Sequence, residues 1–340
     1  MQLRVTARRR ETHDTISFFF EPVEGPLPVY APGQFLTFLI DRVRRSYSLT
    51  SSPGDPFLSV AVKRKPNGEI SRFLQDHVFA GDVLRVVPPA GRFTFAPAAP
   101  PAPGAPPPPR DIGFIAAGSG IAPILPLIRQ ALREEPQSHV WLIDQNHSEA
   151  DIIFAEELRA LEKRITRISL LSAPQAHNIL PRRLNNANLE QYVRELTRFD
   201  PSASVFFCCG PEALMRMAKF TLRVIGFEEA QFRQEHFTID PPPGAALPVP
   251  GDTRRVVLLT GGRRYEFPVT FPTNILQAAL DHHVPLPYSC RGGRCSACSV
   301  RCTEGKVLMS LNEVLTEQDL AEGWVLTCTG YALTDLTLEA

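Results

Sequence analysis

Apolar positions follow three different rhythms along this chain. Through residues 1–95 they come in short runs, DTISFFFEP, GQFLTFLI, RRSYSLTSS, FLSVAVKRK, DVLRVVPP and GRFTF, separated by Pro, Gly, Asn and Asp. Runs of that length between turn residues predict an antiparallel barrel or sandwich. One stretch, EISRFLQDHV, has helical spacing instead and predicts Ile70, Phe73 and Leu74 on a single inward face. From 111 to 238 the runs IGFIAA, HVWLI, RISLL and SVFFCC alternate with amphipathic segments such as DIIFAEELRALEK, whose Phe154, Leu158 and Leu161 share a helix face. Alternation of this kind predicts a parallel sheet covered on both sides. From 253 to 340, RRVVLLT and RYEFPVT read as strands. TNILQAALDHH follows as a short helix with Leu276, Ala279 and Leu280 inward, and then a loop dense in cysteine.

Two proline-rich stretches separate these regimes. APAAPPAPGAPPPPR, 96–110, holds eight prolines and five alanines, and PPPGAALPVPGD, 241–252, holds five prolines. Proline has no amide to give to a ladder, so the first predicts an extended, solvated connector over 96–110 and the second a linker over 239–252. The sequence shows no internal repeat.

Composition narrows the function classes. The 340 residues are 44% hydrophobic and 21% charged with formal net charge zero, which gives no global field toward nucleic acid or anionic lipid. The opening MQLRVTARRRETHD has no apolar core for a secretory signal. The most apolar stretch, IGFIAAGSGIAPILPLI, contains three glycines and two prolines and reads as strand, turn and helix. Cytoplasmic localisation without membrane insertion is the expectation. An odd count of seven cysteines, clustered, argues against a disulfide framework.

The cluster is PYSCRGGRCSACSV. Cys290, Cys295 and Cys298 are spaced C-x4-C-x2-C, and Cys328 follows after 29 further residues. That is the spacing of plant-type [2Fe–2S] centres, in which four thiolates must converge. Gly292 and Gly293 let the loop wrap such a cluster. Zinc ribbons use paired CxxC knuckles, and Cys328 has no such partner. A Rieske centre needs two loop histidines, and His282 and His283 sit on the preceding helix instead. Cys302 lies in an expected strand and reads as packing. From 253 to 340 the chain resembles a plant-type ferredoxin domain, which implies a β-grasp-like fold with Cys290, Cys295, Cys298 and Cys328 as metal ligands.

Upstream motifs supply a source of electrons. RSYS, Arg45 to Ser48, is followed by VAVKRKPNGEIS, where Gly68 to Ser71 opens a helix whose N-terminus suits an anion. AAGSGIAP runs from strand to helix with Gly118, Ser119, Gly120 and Pro123 in a G-x-G-x-x-P pattern. Cys209, Gly210 and Pro211 end the fourth strand of that segment, and Glu235-His236-Phe237 closes it. In this order the motifs resemble the ferredoxin–NADP reductase superfamily, in particular the one-component reductases that feed oxygenases, including those of the phenylacetyl-CoA epoxidase type.

The resemblance implies a division into an FAD barrel, 1–95, a connector, an NAD(P)H domain, 111–238, a linker, and the ferredoxin domain. It implies that Arg45, Tyr47, Ser48, Val62, Lys63, Gly68, Ile70, Ser71 and Phe237 bind FAD. Gly118, Ser119, Gly120, Pro123, Cys209, Gly210 and Pro211 would bind NADH or NADPH, with Cys209 and Ser48 beside the reacting atoms. It implies hydride transfer to the flavin, then single electrons through the cluster to an oxygenase or desaturase. Three alternatives stand beside it: an FMN reductase of the phthalate-dioxygenase type serving a Rieske oxygenase, a general ferredoxin-like reductase with no dedicated oxygenase, and a non-enzymatic redox sensor. Asp144 and His147, after the second strand of the nucleotide domain, lean toward a free ribose hydroxyl and NADH. Arg291 and Arg294 flank the cluster glycines and would steer an acidic partner.

Overall fold

The computed structural model describes residues 1–340 except 41–42, 66–67, 101–104, 177–178, 238–252, 294 and 313, and omits the side chains of 43 and 317. The linker 239–252, four residues of the 96–110 connector and Arg294 therefore lie outside the described residues. The chain divides into two compact units, 1–234 and 235–340.

The first unit begins with β1 (Gln2–Arg10), β2 (Thr15–Pro22), β3 (Phe35–Ile40), β4 (Val43–Ser48), β5 (Leu58–Lys63), α1 (Glu69–His77) and β6 (Val83–Ala90). The strands pair antiparallel in the order β4-β3-β6-β1-β2-β5. A bridge from Leu49 to Val60 brings the two ends together, so the sheet curls into a barrel. Alternation along β2 sends Ile16, Phe18 and Phe20 inward to Leu36, Phe38 and Val60. Each such side chain, fully buried, stabilises the fold by about 1.5–3 kcal/mol.

Two expectations are corrected here. GRFTF forms no strand; Phe93 and Phe95 leave the barrel and bury themselves against Phe207, with ring centroids 5.6 and 6.2 Å apart. Phe73 is not inward: Ile70 and Leu74 are buried, whereas Phe73 stays 36% exposed beside His77. The inward stripe of α1 runs through Ile70, Ser71 and Leu74, which places Phe73 at its solvent edge.

The same unit continues with β7 (Asp111–Ala117), α2 (Ile121–Glu134), β8 (His139–Asn146), α3 (Ala155–Leu161), β9 (Thr166–Leu171), α4 (Asn186–Leu196), β10 (Val205–Cys209), α5 (Glu212–Val224) and β11 (Phe232–Glu235). Its sheet runs β11-β10-β7-β8-β9, with β10, β7, β8 and β9 parallel. Ile112, Phe114, Val140, Leu142, Phe207 and Cys209 face the side covered by α2 and α3. Ile115, Trp141, Ile143, Phe206 and Cys208 face α4 and α5. Phe154 is buried as expected but precedes α3 rather than lying in it, with a positive φ of 61°.

The segment expected as a plain connector is pinned at its base. Buried Glu135, just past α2, accepts from Ala98 N (2.8 Å) and from Arg110 Nε and Nη2 (3.1 and 2.8 Å), and Arg110 also donates to Ala96 O at 2.8 Å. Both ends of the proline stretch thus meet at one carboxylate.

The second unit holds β12 (Thr253–Thr260), β13 (Arg263–Thr270), α6 (Ile275–Asp281), β14 (Ser299–Glu304), β15 (Val307–Met309), α7 (Glu317–Ala321), β16 (Trp324–Leu326), β17 (Gly330–Ala332) and β18 (Leu336–Glu339). Five strands order as β13-β12-β18-β14-β16, with β12 parallel to β18, and β15 pairs with β17. Ile275, Leu276, Ala278 and Ala279 of α6 pack across this sheet on Val256, Leu258, Phe267 and Leu338, while Leu280 is only partly buried.

Candidate functional site

In the parallel sheet, β8 and β9 follow β7 outward on one side, while β10 returns to its other side. The boundary between β7 and β10 is therefore where the strand order reverses, the place where open α/β sheets bind ligands beyond their carboxyl ends. Gly118–Gly120 leave β7 as a single 3-10 turn, with Gly118 at φ 53°, and α2 starts at Ile121. Pro123 falls in the first turn of α2, where an amide would have no intrahelical acceptor. Cys209, opposite Ala116 in the register, ends β10, and Gly210 and Pro211 turn into α5. The two turns touch. A Cβ on Gly120 would overlap the carbonyl of Cys209 and stand 2.9 Å from Gly210 N, so only glycine lets these backbones meet. Cys208 points to the opposite face; burial pushes its thiol up and leaves it a packing group.

Ala116 and Gly118 line a small depression together with Asp144 and Asn146 at the end of β8. Asp144 lies within β8, buried, rather than after it. Its carboxylate accepts from Arg167 Nε and Nη2 (2.8 and 3.0 Å), from Asn146 Nδ2 (3.0 Å) and from Ser169 Oγ (3.3 Å). No local pattern in the sequence marks Arg167 as the residue that neutralises it. His147 is exposed, with Nδ1 3.3 Å from Ser172 Oγ.

On the barrel, Arg45, Tyr47 and Ser48 lie along β4, which β5 adjoins to close the barrel, and α1 follows β5. Arg45 is exposed. Tyr47 packs edge-on to Phe38 at 5.7 Å, and burial, opposed by Arg45, pushes its phenol up to about 12. Val62 is wholly buried, and its carbonyl accepts from Gln75 Nε2 at 2.7 Å. Lys63 pairs with Asp14 at 3.0 Å. Gly68 caps α1, and Ile70 sits in the barrel core. The Ser71 hydroxyl donates to Gly68 O and accepts from Lys65 N, each at 3.1 Å. An anion at this helix start would therefore meet the backbone amides of 69–71, ahead of the first intrahelical bond from Arg72 to Gly68. Phe237 lies two residues past β11 and is 44% exposed.

In the second unit Cys290, Cys295, Cys298 and Cys328 are all buried, and none of the seven cysteines forms a disulfide. Their sulfurs interact in the succession Cys295, Cys290, Cys328, Cys298. Contact with Cys290 and burial push the Cys295 thiol up. Contacts with Cys290 and Cys298 do the same to Cys328, while Cys328 lowers Cys298. Four crowded sulfurs cannot all ionise without cations among them. Backbone amides already aim at the sulfurs: Cys290 N at Cys295 (3.4 Å), Gly292 N at Cys290 (3.3 Å) and Gly293 N at Cys328 (3.4 Å). Gly293 has φ 71°, and a Cβ there would press within 2.8 Å of Leu311 O. The donor set, its burial and these amides fit an iron–sulfur cluster. Cys302 stands apart in β14 and gives its thiol to Glu304 O at 3.3 Å.

Three family models match in this order: an oxidoreductase FAD-binding domain over residues 2–95, an oxidoreductase NAD-binding domain over 114–219 and a 2Fe-2S iron-sulfur cluster binding domain over 260–333. One subunit of the 1,2-phenylacetyl-CoA epoxidase of Escherichia coli K12 is 33% identical, across 98% of this chain and 95% of its own. The chain belongs to the family of reductases that join FAD, NAD and [2Fe–2S] domains in one polypeptide. A second member, the ferredoxin reductase component of a 3-ketosteroid-9-alpha-monooxygenase from Mycolicibacterium smegmatis, is also 33% identical over 98% of this chain and 95% of its own. Among solved structures, phthalate dioxygenase reductase aligns over 100% of this chain and 98% of its own, with TM-score 0.60 and 23% identity. An intact type IV self-sufficient cytochrome P450 monooxygenase aligns over 99% of this chain with TM-score 0.75 and 22% identity; the chain spans 40% of that longer protein. This family member is an NAD(P)H-dependent oxidoreductase carrying FAD and a [2Fe–2S] cluster. Among its described residues no helix is long and apolar enough to cross a membrane.

Proposed function

We propose that this reductase supplies electrons from NAD(P)H to a separate oxygenase or desaturase, with a partner of the phenylacetyl-CoA epoxidase kind as the leading choice. The observation that carries the reading is the meeting of the Gly118–Gly120 turn with Cys209–Gly210 at the point where the strand order reverses. A redox sensor would have no use for a built nucleotide crevice. When bound, FAD and the cluster supply the conversion of a hydride's two electrons into single-electron deliveries.

The chain's own residues position and shield. Gly118, Ser119 and Gly120 admit the nucleotide's pyrophosphate to backbone amides, and Cys209, Gly210 and Pro211 wall the nicotinamide side. Arg45 would hold a flavin phosphate, Tyr47 and Ser48 would border the ring, and the amides at Gly68–Ser71 would hold the second phosphate of FAD, with Val62, Lys63 and Ile70 forming the adjoining strand and helix start. Cys290, Cys295, Cys298 and Cys328 hold the cluster, and Arg291, exposed beside it, meets an acidic partner surface. Thiol ligands and the absence of any disulfide suit a reducing cytoplasm.

Anaerobic addition of NADH and NADPH tests this directly. The oxidised-flavin absorbance should bleach within seconds (order of magnitude from typical enzyme turnover), followed by partial bleaching of the cluster. A flavin left oxidised by both nucleotides would overturn the reading.

A further inference from the structure

Resting on the hydride reading proposed above, we infer that Phe93 is a positioning residue for hydride transfer. Its ring, seated on Phe207, gauges how far the flavin-bordering end of β4 stands from the nicotinamide-bordering end of β10. On the flavin side, Gln34 and Phe35 tie Phe93 to the end of β4. Phe35 lies opposite Ser48 in its pairing with β4 and opposite Ala90 in its pairing with β6. Gln34 accepts from Leu49 N at 2.8 Å and donates from Nε2 to Gly91 O at 3.2 Å. A Cβ on Gly91 would stand 3.1 Å from the Phe35 ring, so the approach to Phe93 is packed onto the residues that hold Ser48. The Phe93 carbonyl in turn rests on Gly33, where a Cβ would overlap it.

On the nucleotide side, Phe93 meets Phe207 edge to face with ring centroids 5.6 Å apart, and Phe207 stacks on Phe114 of β7 at 5.3 Å. All three rings are buried. Phe207 and Cys209 share one face of β10, two positions and about 7 Å apart along the strand. Phe95 reaches Phe207 from farther out, at 6.2 Å. Close-packed interiors transmit a displacement instead of absorbing it, so a change in the Phe93 seat moves β10, and Cys209 with it, relative to β4. Two further ties between barrel and nucleotide domain are charged pairs at the rim, Arg9 with Glu157 (2.5 Å) and the exposed His13 with Asp151 (3.4 Å). Pairs of that kind are solvent-screened and permit play. Hydride transfer needs its reacting atoms roughly 3–3.5 Å apart, and the aromatic seat is the contact stiff enough to hold such a separation.

The test uses the full FAD- and cluster-loaded chain in anaerobic stopped flow, with whichever of NADH and NADPH bleaches the parent flavin faster. Phe93→Leu should slow bleaching at saturating nucleotide roughly 10-fold and Phe93→Ala roughly 100-fold, since a 1 Å misplacement costs about 100-fold. The nucleotide concentration for half-maximal rate should stay within about twofold of the parent, because Gly118–Gly120 and Gly210 are left in place. Reduction by dithionite should match the parent. Phe18→Leu removes the same atoms from an equally buried ring in the barrel core. It should lower Tm comparably yet leave the bleaching rate unchanged, which separates position from bulk stability. Phe93→Leu decides the question even where Phe93→Ala fails to fold. A bleaching rate in Phe93→Leu within twofold of the parent overturns the inference, as does equal slowing by Phe18→Leu. A parent flavin bleached by neither nucleotide strikes the hydride reading and this inference with it, whereas a bleached parent with an unslowed Phe93→Leu strikes the inference alone.

Discussion

Replacing Gly120 by alanine isolates the contact on which the nucleotide crevice depends. Gly120 has ordinary right-handed angles, φ −61° and ψ −16°, so the substitution introduces no backbone strain of its own. The added methyl lands on the carbonyl of Cys209 and 2.9 Å from Gly210 N, all backbone atoms that cannot swing aside as a side-chain tip could. Non-bonded carbons rest at roughly 3.5–4.0 Å, so the two turns must part by about 1 Å. Overpacking of this kind costs about 1–3 kcal/mol. For a unit of this size that lowers Tm by roughly 2–12 °C. A 1 Å displacement at a reacting pair can slow the step by about 100-fold. Stopped-flow bleaching of the flavin by NADPH, at saturation and without oxygen, reads the hydride step alone. Reduction of the same variant by dithionite should proceed as in the parent, because it bypasses the nucleotide site. A bleaching rate within twofold of the parent would refute the claim that the approach of the two turns sets the nucleotide's position. An unchanged Tm as well would refute the contact itself.

Adjacent cysteines on β10 should separate by role. Cys209→Ala should slow flavin bleaching by about 10- to 100-fold, whereas Cys208→Ala, buried on the opposite face, should cost about 1–2 kcal/mol in urea unfolding and leave the rate unchanged; a slow Cys208→Ala with a normal Cys209→Ala would reverse the assignment. Iron and acid-labile sulfide measured on purified protein should fall sharply in Cys328→Ser and stay at parental content in Cys302→Ser, and retention of full iron by Cys328→Ser would remove it from the ligand set. Charge reversal in Arg291→Glu should weaken electron delivery to an acidic partner by about 3- to 10-fold at low ionic strength, with the difference fading as salt screens it. Ferricyanide reduction should not change, and partner turnover unaffected at low salt would end the steering idea.

What could be read from the residues alone was whatever chemistry writes locally. Cysteine spacing, a glycine turn between strand and helix, and the order of RSYS, GSGIAP and CGP each lie within a few residues, and they led to the three cofactor domains. Side-chain partnerships that span the sheet were invisible. Asp144 and Arg167 are 23 positions apart and meet only because β8 and β9 are parallel neighbours. Gly120 follows β7 and Cys209 ends β10, strands that are separated in the chain by β8 and β9, so the overlap that makes glycine obligatory there has no local mark. GRFTF misled for a related reason: alternating aromatics look like a strand, yet Phe93 and Phe95 are drawn out of the barrel by the larger apolar surface at Phe114 and Phe207. In α1, helical spacing pointed to Phe73, but the barrel accepts the small Ser71 at that margin and leaves the ring outside.

Glu135 gives the proline stretch a property that its composition does not suggest. Because Ala98 and Arg110 are held at one buried carboxylate, the spacing of the parts on either side does not depend on the residues between them. The flavin barrel and the nucleotide domain are joined across it by Phe93, Phe95, Phe114 and Phe207. A protease that cuts the loop would open the chain without opening the molecule. Two fragments would appear on a denaturing gel while the native protein migrated as one body, still reducible by its nucleotide. The same base makes the loop a port of entry for a reporter or an affinity tag, since what is added between two pinned ends does not lengthen the distance between the parts that must work together.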